Sequence, residues 1–204
     1  MAVHLSKRRA KVWLQYLKHT RGDRGRLSLN ILREVCSFLH CPKRITAVCG
    51  KTAFLYDTQG QLLSEHTLSV DFGVAGSYIE ADRNTLLCVG GSSAVYSLDL
   101  SSFQLSSLPS LCTPRAFAGL AQVNVHFYVF GGCADGRLSS CEKMHLSGQC
   151  WTQISSMNYP RVFFTPCHFR SLLYLASAFD HYKVETFDAE TETFVVLPVL
   201  QSNY

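Results

Sequence analysis

The sequence predicts an all-β fold built from repeated units of antiparallel strands, and three observations support this class. Apolar side chains occupy alternate positions from Val123 to Val129, which is the two-residue period of a β-strand. The strand ends at Gly131-Gly132, because glycine permits turns and close backbone approach that other residues resist. A landmark residue recurs at spacings of 42, 46 and 43 residues: Asp57, Asp99, His145 and Asp188. A strand pattern with a period in the mid-forties predicts the blades of a β-propeller.

The most complete repeat runs from Arg115 to Trp151. Its Pro114-Arg115 pair stands sixteen residues before Gly131, and Pro160-Arg161 stands sixteen residues before Ser177. A bulky apolar residue follows each landmark: Leu62, Phe103, Trp151 and Phe194. These coincidences place four units in one register along the chain.

This pattern resembles the kelch repeat, which has a Pro-Arg pair at the start of the blade, a strand ending in Gly-Gly, a segment ending in an aromatic residue and Asp, and then a tryptophan. The resemblance covers residues 45–200. It departs at Ser177-Ala178, which replaces the glycine doublet, at Phe194, which replaces tryptophan, and at Val74, which stands where an arginine would. The first unit, residues 45–68, has only the pattern of a half-blade. The resemblance therefore implies about three and a half kelch-type propeller blades.

An incomplete ring leaves three arrangements open, since propellers typically have about 4–8 blades. The chain is a fragment of a longer product, or two chains complete one ring, or the half-blade closes a small ring by pairing with the C-terminal strand. An open propeller would expose strand edges, which predicts self-association.

The first part of the chain differs from the rest in charge. Residues 1–44 carry eleven Lys and Arg and two acidic residues, a formal net charge of +9, whereas the remainder carries −5. This predicts a basic helical extension over residues 1–44 and a propeller over residues 45–204. Ser6 to Thr20 is predicted to be an amphipathic helix with Trp13 on its apolar face. Basic amphipathic helices suit membranes, calmodulin-like partners or nucleic acid. A helix docked through Trp13 with its charges in water is the simpler interpretation, so neither nucleic acid nor a membrane is predicted as a partner.

A second short helix is predicted from Leu29 to Leu39, and Pro42 ends it. Its sequence, LNILREVCSFL, resembles the opening of an F-box, which runs L-P-x-E-I-L with later leucines, although Asn30 replaces the proline. The F-box resemblance implies docking to a Skp1-type or cullin-linked subunit of a ubiquitin ligase. The alternative is a helix that packs against the propeller.

Kelch propellers are mostly protein-binding platforms. The kelch resemblance therefore implies a non-catalytic protein-interaction module, either a scaffold or a substrate adaptor of a ubiquitin ligase. An actin-associated or cytoskeletal scaffold is the alternative within this class. A propeller-fold enzyme is the alternative from another class, since some kelch-fold proteins are copper oxidases or cyclases.

The candidate binding residues are Arg115, Arg161 and Tyr159. In relatives, arginines near the start of the blade grip acidic motifs, so the resemblance implies that Arg115 and Arg161 bind an acidic motif of a protein partner, with Tyr159 beside them. The alternative is structural, because a repeated arginine can tie neighbouring blades through hydrogen bonds to backbone carbonyls. The loops at residues 133–140 and 179–183 are further candidates for contact.

No catalytic pattern is apparent in the sequence. It contains no GxSxG or HExxH motif and no evident acid–base pair, so neither an enzyme nor a cofactor is predicted. The nine cysteines form no CxxC pair and follow no secretory signal, which predicts reduced thiols in a cytoplasmic protein. A metal site built from Cys133, Cys141, His145 and Cys150 lacks the tight paired spacing of zinc ligands, so no metal is predicted.

Overall fold

The computed structural model describes residues 45–57, 59–73, 75–82, 84–176 and 183–198. Within these ranges the chain forms fifteen β-strands and no helix, as expected for an all-β fold. The helices predicted at residues 6–20 and 29–39 lie outside the described residues. The described part of the chain contains no helix that could cross a membrane.

The strands form four antiparallel sheets, and neighbouring strands in each sheet are consecutive in the chain. Sheet 1 contains β1 (Ile45–Cys49), β2 (Thr52–Tyr56) and β3 (Leu62–Thr67). Sheet 2 contains β4 (Ser77–Glu80), β5 (Thr85–Val89), β6 (Val95–Asp99) and β7 (Leu105–Leu108). Sheet 3 contains β8 (Gly119–Val123), β9 (His126–Phe130), β10 (Cys141–His145) and β11 (Thr152–Ile154). Sheet 4 contains β12 (Cys167–Phe169), β13 (Leu172–Leu175), β14 (Glu185–Asp188) and β15 (Thr193–Val196).

Sheet 1 is larger than the half-blade predicted for residues 45–68. Residues 62–67 pair with β2 as a third strand, with a register shift at Tyr56. Asp99, His145 and Asp188 each end the third strand of their sheet, whereas Asp57 directly follows the second strand of sheet 1. The three strands of sheet 1 therefore correspond to the second, third and fourth strands of the other sheets.

The alternating segment from Val123 to Phe130 is two strands rather than the single strand predicted. Asn124 adopts a left-handed conformation with φ of 51°, and the chain reverses there between β8 and β9. Asn tolerates this conformation better than most residues do. The apolar–polar alternation of the sequence continues through the two turn residues, Asn124 and Val125, and hides the turn, although the turn reverses which positions share a face, since Val123 packs in one cluster with Tyr128.

The chain divides into two compact units, Met1–Val74 with Asp99–Leu105, and Ala75–Leu98 with Ser106–Tyr204. In the first unit, the sheet buries Ala53 and Leu55, and the loop after it is fixed because Phe72 N–H donates to the Gly50 carbonyl at 3.1 Å. The ring of Phe103 stacks on His66, with centroids 3.8 Å apart.

The core of the second unit is centred on β9, which is buried on both faces as its sequence predicts. Phe127 and Val129 pack with residues of sheet 2 and with Trp151. Tyr128 and Phe130 point to the opposite face and pack with residues of sheet 4. The two-residue period of one strand thus joins two separate apolar clusters.

Candidate interaction rim

The loop between β9 and β10 joins two other connecting segments at one end of sheet 3. Ala116 and Cys133 exchange main-chain hydrogen bonds of 2.8 Å in each direction. On its other side the loop binds the segment before β12, because the N–H of Arg161 donates to Leu138 O at 3.1 Å and the N–H of Met157 to Ser139 O at 2.9 Å. We call these three segments, residues 115–118, 131–140 and 157–164, the loop rim.

Gly131 allows this close packing of the rim. Its φ is +56°, and a Cβ atom built there would lie 2.6 Å from the carbonyl oxygen of Arg161 and 2.9 Å from that of Leu138. Both neighbours are backbone atoms, so they cannot move aside as a flexible side chain could. The doublet recognised in the sequence is therefore required by contact as well as by conformation.

Arg115 begins the first segment of the loop rim, and its side chain is buried. The residue is 1% exposed. Its Nη1 donates to the carbonyl oxygens of Gly131 at 2.7 Å and Ser140 at 2.9 Å. Its Nη2 donates to Glu142 Oε1 at 2.6 Å, in an ion pair whose two side chains are both fully buried. One guanidinium thus holds both ends of the loop from 131 to 140.

The Glu142 carboxylate also fixes the segment that precedes Arg115. The N–H of Cys112 donates to Oε2 at 2.7 Å and the N–H of Thr113 to Oε1 at 3.0 Å. A buried carboxylate that accepts these hydrogen bonds and faces a guanidinium has its charge compensated on both oxygens.

The same arrangement recurs in sheet 4 around Arg161, which is 0% exposed. Its Nη2 and Nε donate to Glu185 Oε1 at 2.9 and 3.2 Å. Glu185 accepts the N–H groups of Asn158 at 2.7 Å and Tyr159 at 3.2 Å, which stand at the same offsets before the arginine as in sheet 3. In contrast to Arg115, Arg161 has a buried Nη1 without a hydrogen-bond partner, the one such side-chain atom in the described residues.

These contacts bear on the prediction that Arg115 and Arg161 face a partner. Both guanidinium groups are buried in ion pairs, so a partner's carboxylate would reach them only if those pairs opened. The hydrogen bonds of Arg115 to the Gly131 and Ser140 carbonyls are the contacts expected from the structural alternative. The difference arises because each arginine is matched by a glutamate more than twenty residues further along the chain.

Sequence reasoning did not assign a role to these two glutamates, although a signal was present. Glu142 and Glu185 each stand three residues before a landmark residue. In sheet 2, where Val74 replaces the arginine, the corresponding position holds Tyr96. The joint presence of arginine and glutamate in two repeats, and their joint absence in a third, indicates an ion pair.

Tyr159 is half-buried and presents its phenol group to Lys183. Lys183 Nζ lies 4.3 Å from the ring centroid and donates to the phenol oxygen at 3.0 Å. The main chain of Tyr159 is held by Glu185. Of the predicted contact loop at residues 179–183, Lys183 alone lies within the described residues.

Phe117 and Phe163 form an aromatic pair on the rim that the sequence analysis missed. Each stands two residues after one of the buried arginines, and each has a left-handed backbone, with φ of 55° and 54°. Their ring centroids are 4.1 Å apart, and the N–H of Phe163 donates to the Phe117 carbonyl at 3.1 Å. Phe163 is 41% exposed. A left-handed conformation is rare for a bulky residue and occurs here twice, at equivalent positions.

The four landmark residues share one role in the tight turns that end their strands. Each accepts a hydrogen bond from the main-chain N–H two residues further on. They are Asp57 (2.8 Å), Asp99 (2.9 Å), His145 (3.1 Å) and Asp188 (2.8 Å). His145 accepts with Nδ1 where the others use a carboxylate oxygen. Hydrogen bonds from Ser102 and Ser101 lower the pKa of Asp99 from its ordinary 3.8 to about 2.

Metal ligands do not assemble in the part of the chain that the structure describes. No three His, Cys, Asp or Glu side chains come together there as a metal site. Cys141 is buried, its Sγ donates to the Ser139 carbonyl, and burial raises its pKa to about 12. His126 and His145 face each other with ring centroids 5.2 Å apart. Burial, and then the charge of His145, lower the pKa of His126.

Comparison with known proteins agrees with this geometry. Residues 114–158 match the family model described as the Kelch motif. The resemblance predicted from the sequence is confirmed over this segment. A β-meander of this kind is the blade of a β-propeller.

One solved structure, described as "Structure of YjhT", resembles the chain with a TM-score of 0.53 and 16% sequence identity. The match covers 63% of this chain and 52% of that one, so the chain spans about half the length of that structure. At this identity the likeness shows the fold alone. No curated relative matches the sequence.

Proposed function

We propose that the chain is a non-catalytic protein-interaction module that binds its partner at the loop rim without a cofactor or metal. The observation that carries this proposal is the pair formed by the half-buried Phe117 and the exposed Phe163. Kelch repeats commonly serve as such scaffolds, and the motif match at residues 114–158 supports the same class.

The conformation of the pair is costly unless something compensates for it. A left-handed backbone costs a residue with a Cβ atom about 1–2 kcal/mol, and this cost arises twice within the rim. The ring of Phe163 also remains in contact with water. Backbone strain that persists at an exposed site is most common where it serves binding. We infer that the strain holds the two rings in position to receive an apolar side chain of the partner.

We infer that the predicted acidic motif of the partner binds Lys183 and Arg137 rather than the two buried arginines. Lys183 lies beside Tyr159 at the surface, and Arg137 is exposed in the rim loop. A partner segment that combines an aromatic or aliphatic residue with a carboxylate suits these groups. Tyr159 thus remains a proposed contact residue. The buried side chains of Arg115 and Arg161 hold the segments of the loop rim in place.

The proposed biological role is that of a substrate adaptor of a ubiquitin ligase in the cytoplasm. This role requires the segment from Leu29 to Leu39 to dock a Skp1-type or cullin-linked subunit. The alternative role is an actin-associated scaffold, which needs no such docking. The variant Leu32→Asp with Val35→Asp in the full chain separates the two. Loss of binding to a purified Skp1-type subunit supports the adaptor, whereas no binding by the parent chain excludes it.

Binding at the rim is tested with peptides selected by display on the purified full chain. Phe163→Ser should weaken the selected peptides by about tenfold or more, which corresponds to ~1.4 kcal/mol. Lys183→Glu should weaken the acidic ones among them. The matched control is Val125→Ser, which removes a side chain 47% exposed in the β8–β9 turn and should leave affinity unchanged. Equal affinity for Phe163→Ser and the parent chain would show that the rim is not the binding surface.

A further inference from the structure

Two cysteines of the second unit lie close together outside the proposed contact residues. The Sγ of Cys112 donates to the main-chain oxygen of Trp151 at 3.3 Å, and Cys150 directly precedes Trp151 in the chain. Both cysteines are exposed, and neither forms a disulfide. Cys112 therefore contacts the main chain of the residue next to Cys150.

The surroundings of Cys112 disfavour its thiolate. Partial burial, then the Glu142 carboxylate, and with a smaller effect the charge of Cys150, raise the pKa of Cys112. A raised pKa lowers the fraction of thiolate, which is the nucleophile in thiol–disulfide exchange. Cys112 is therefore a poor initial nucleophile and suits the second step of the exchange.

The repeat itself does not require these thiols. Sheet 4 has Asn158 where sheet 3 has Cys112, and both main-chain N–H groups bind the glutamate of their sheet. Thr193 precedes Phe194 as Cys150 precedes Trp151. A structural role would favour the same residues in both repeats, whereas the pair occurs in sheet 3 and is replaced in sheet 4.

We propose that Cys112 and Cys150 form a reversible two-thiol redox site that reacts with small organic disulfides. The Cys150 thiolate attacks one sulfur of the small disulfide, breaks its S–S bond and releases one small thiolate. The Cys112 sulfur then attacks Sγ of the mixed disulfide and releases the second small thiolate. The two protein thiols are oxidised to one disulfide, the small disulfide is reduced to two thiols, and these take up the two protons.

The closed disulfide would act on the rim through Glu142. Cys112 supplies one of the N–H groups that hold this carboxylate, and the carboxylate holds Arg115. The bond would fix the segment before Arg115 to the segment before β11. Oxidation would thereby change the rigidity of the segment from which the loop rim begins.

The test exposes the reduced full chain to glutathione buffers of graded oxidised fraction, blocks the remaining thiols and maps disulfides by peptide mass spectrometry. We expect a peptide pair linked through Cys112 and Cys150 to be the dominant intramolecular disulfide. We expect Cys112→Asn, which copies sheet 4, to trap Cys150 as a mixed disulfide with glutathione. The half-buried Cys133 gives the matched control, since Cys133→Ser should leave the link unchanged.

Two results would overturn the proposal. One is full alkylation of both cysteines, or their pairing with other cysteines, under conditions that oxidise the chain elsewhere. The other is equal glutathione adduct formation at Cys150 in the parent chain and in Cys112→Asn, because this shows that Cys112 does not resolve the adduct. Circular dichroism of each variant confirms that the compared chains are folded.

Discussion

The arginine–glutamate pairs of sheets 3 and 4 share one arrangement of buried charges and differ in the other partners of the guanidinium group. In both sheets a buried guanidinium meets a buried carboxylate, which also accepts two main-chain N–H groups from the preceding segment. The Nη1 of Arg115 binds two carbonyl oxygens, whereas the Nη1 of Arg161 has no partner. The comparison shows which part of the repeat is constant, namely the ion pair, and which part varies, namely its connection to the following loop.

The largest effect is expected where the constant part is broken. Glu142→Ala leaves the Arg115 charge buried without its partner, which should cost about 3–5 kcal/mol in the free energy of unfolding. Glu185→Ala should cost a similar amount, because its environment is equally buried. Urea denaturation measures both. A loss below about 1 kcal/mol in either variant would mean that the remaining arginine becomes solvated and that the ion pair does not stabilise its sheet.

The second prediction concerns Gly131, whose place in the next repeat is taken by a serine. Ser177 stands where Gly131 does, so Gly131→Ser transfers this departure between the repeats. We expect a loss of about 2–4 kcal/mol, because the new Cβ meets the Arg161 carbonyl and the backbone is left-handed. Gly136→Ser is the matched control, since a Cβ there meets nothing within 4 Å. Equal melting temperatures for the two variants would contradict the steric argument.

The variable part is tested by replacing each arginine with lysine. Lysine keeps the charge toward the glutamate but cannot also reach the Gly131 and Ser140 carbonyls with a rigid fork. Arg115→Lys should therefore be more destabilising than Arg161→Lys by about 1–2 kcal/mol, from two hydrogen bonds. The difference between the two midpoints in urea measures this quantity. Equal losses would mean that the carbonyl contacts of Arg115 contribute nothing net.

A feature of the fold or of the site could be predicted from the sequence where it depends on residues close together in the chain, and not where it depends on residues far apart. The landmark residues were recognised because they recur at nearly constant spacing along the chain. The ion pair of Arg115 was not predicted, because its partner Glu142 lies 27 residues away in the chain. The turn at Asn124 was hidden because the apolar–polar pattern of the sequence continues through its two residues. The contact between Phe117 and Phe163 joins two separate repeats, so no local pattern specifies it.

The smallest effect on stability is expected at the landmark turn of Asp99, whose carboxylate accepts main-chain hydrogen bonds. Hydrogen bonds hold the pKa of Asp99 at about 2, below its ordinary 3.8. A carboxyl group with a lowered folded pKa stabilises the fold above its ordinary pKa, and this contribution is lost as the pH falls from about 3.8 toward 2. Asp99→Asn should therefore reduce the slope of stability against pH in this window and leave it unchanged near neutrality. Unfolding curves measured between pH 7 and pH 2 give this slope. An unchanged slope in Asp99→Asn would mean that the hydrogen bonds to its carboxylate do not stabilise the folded state.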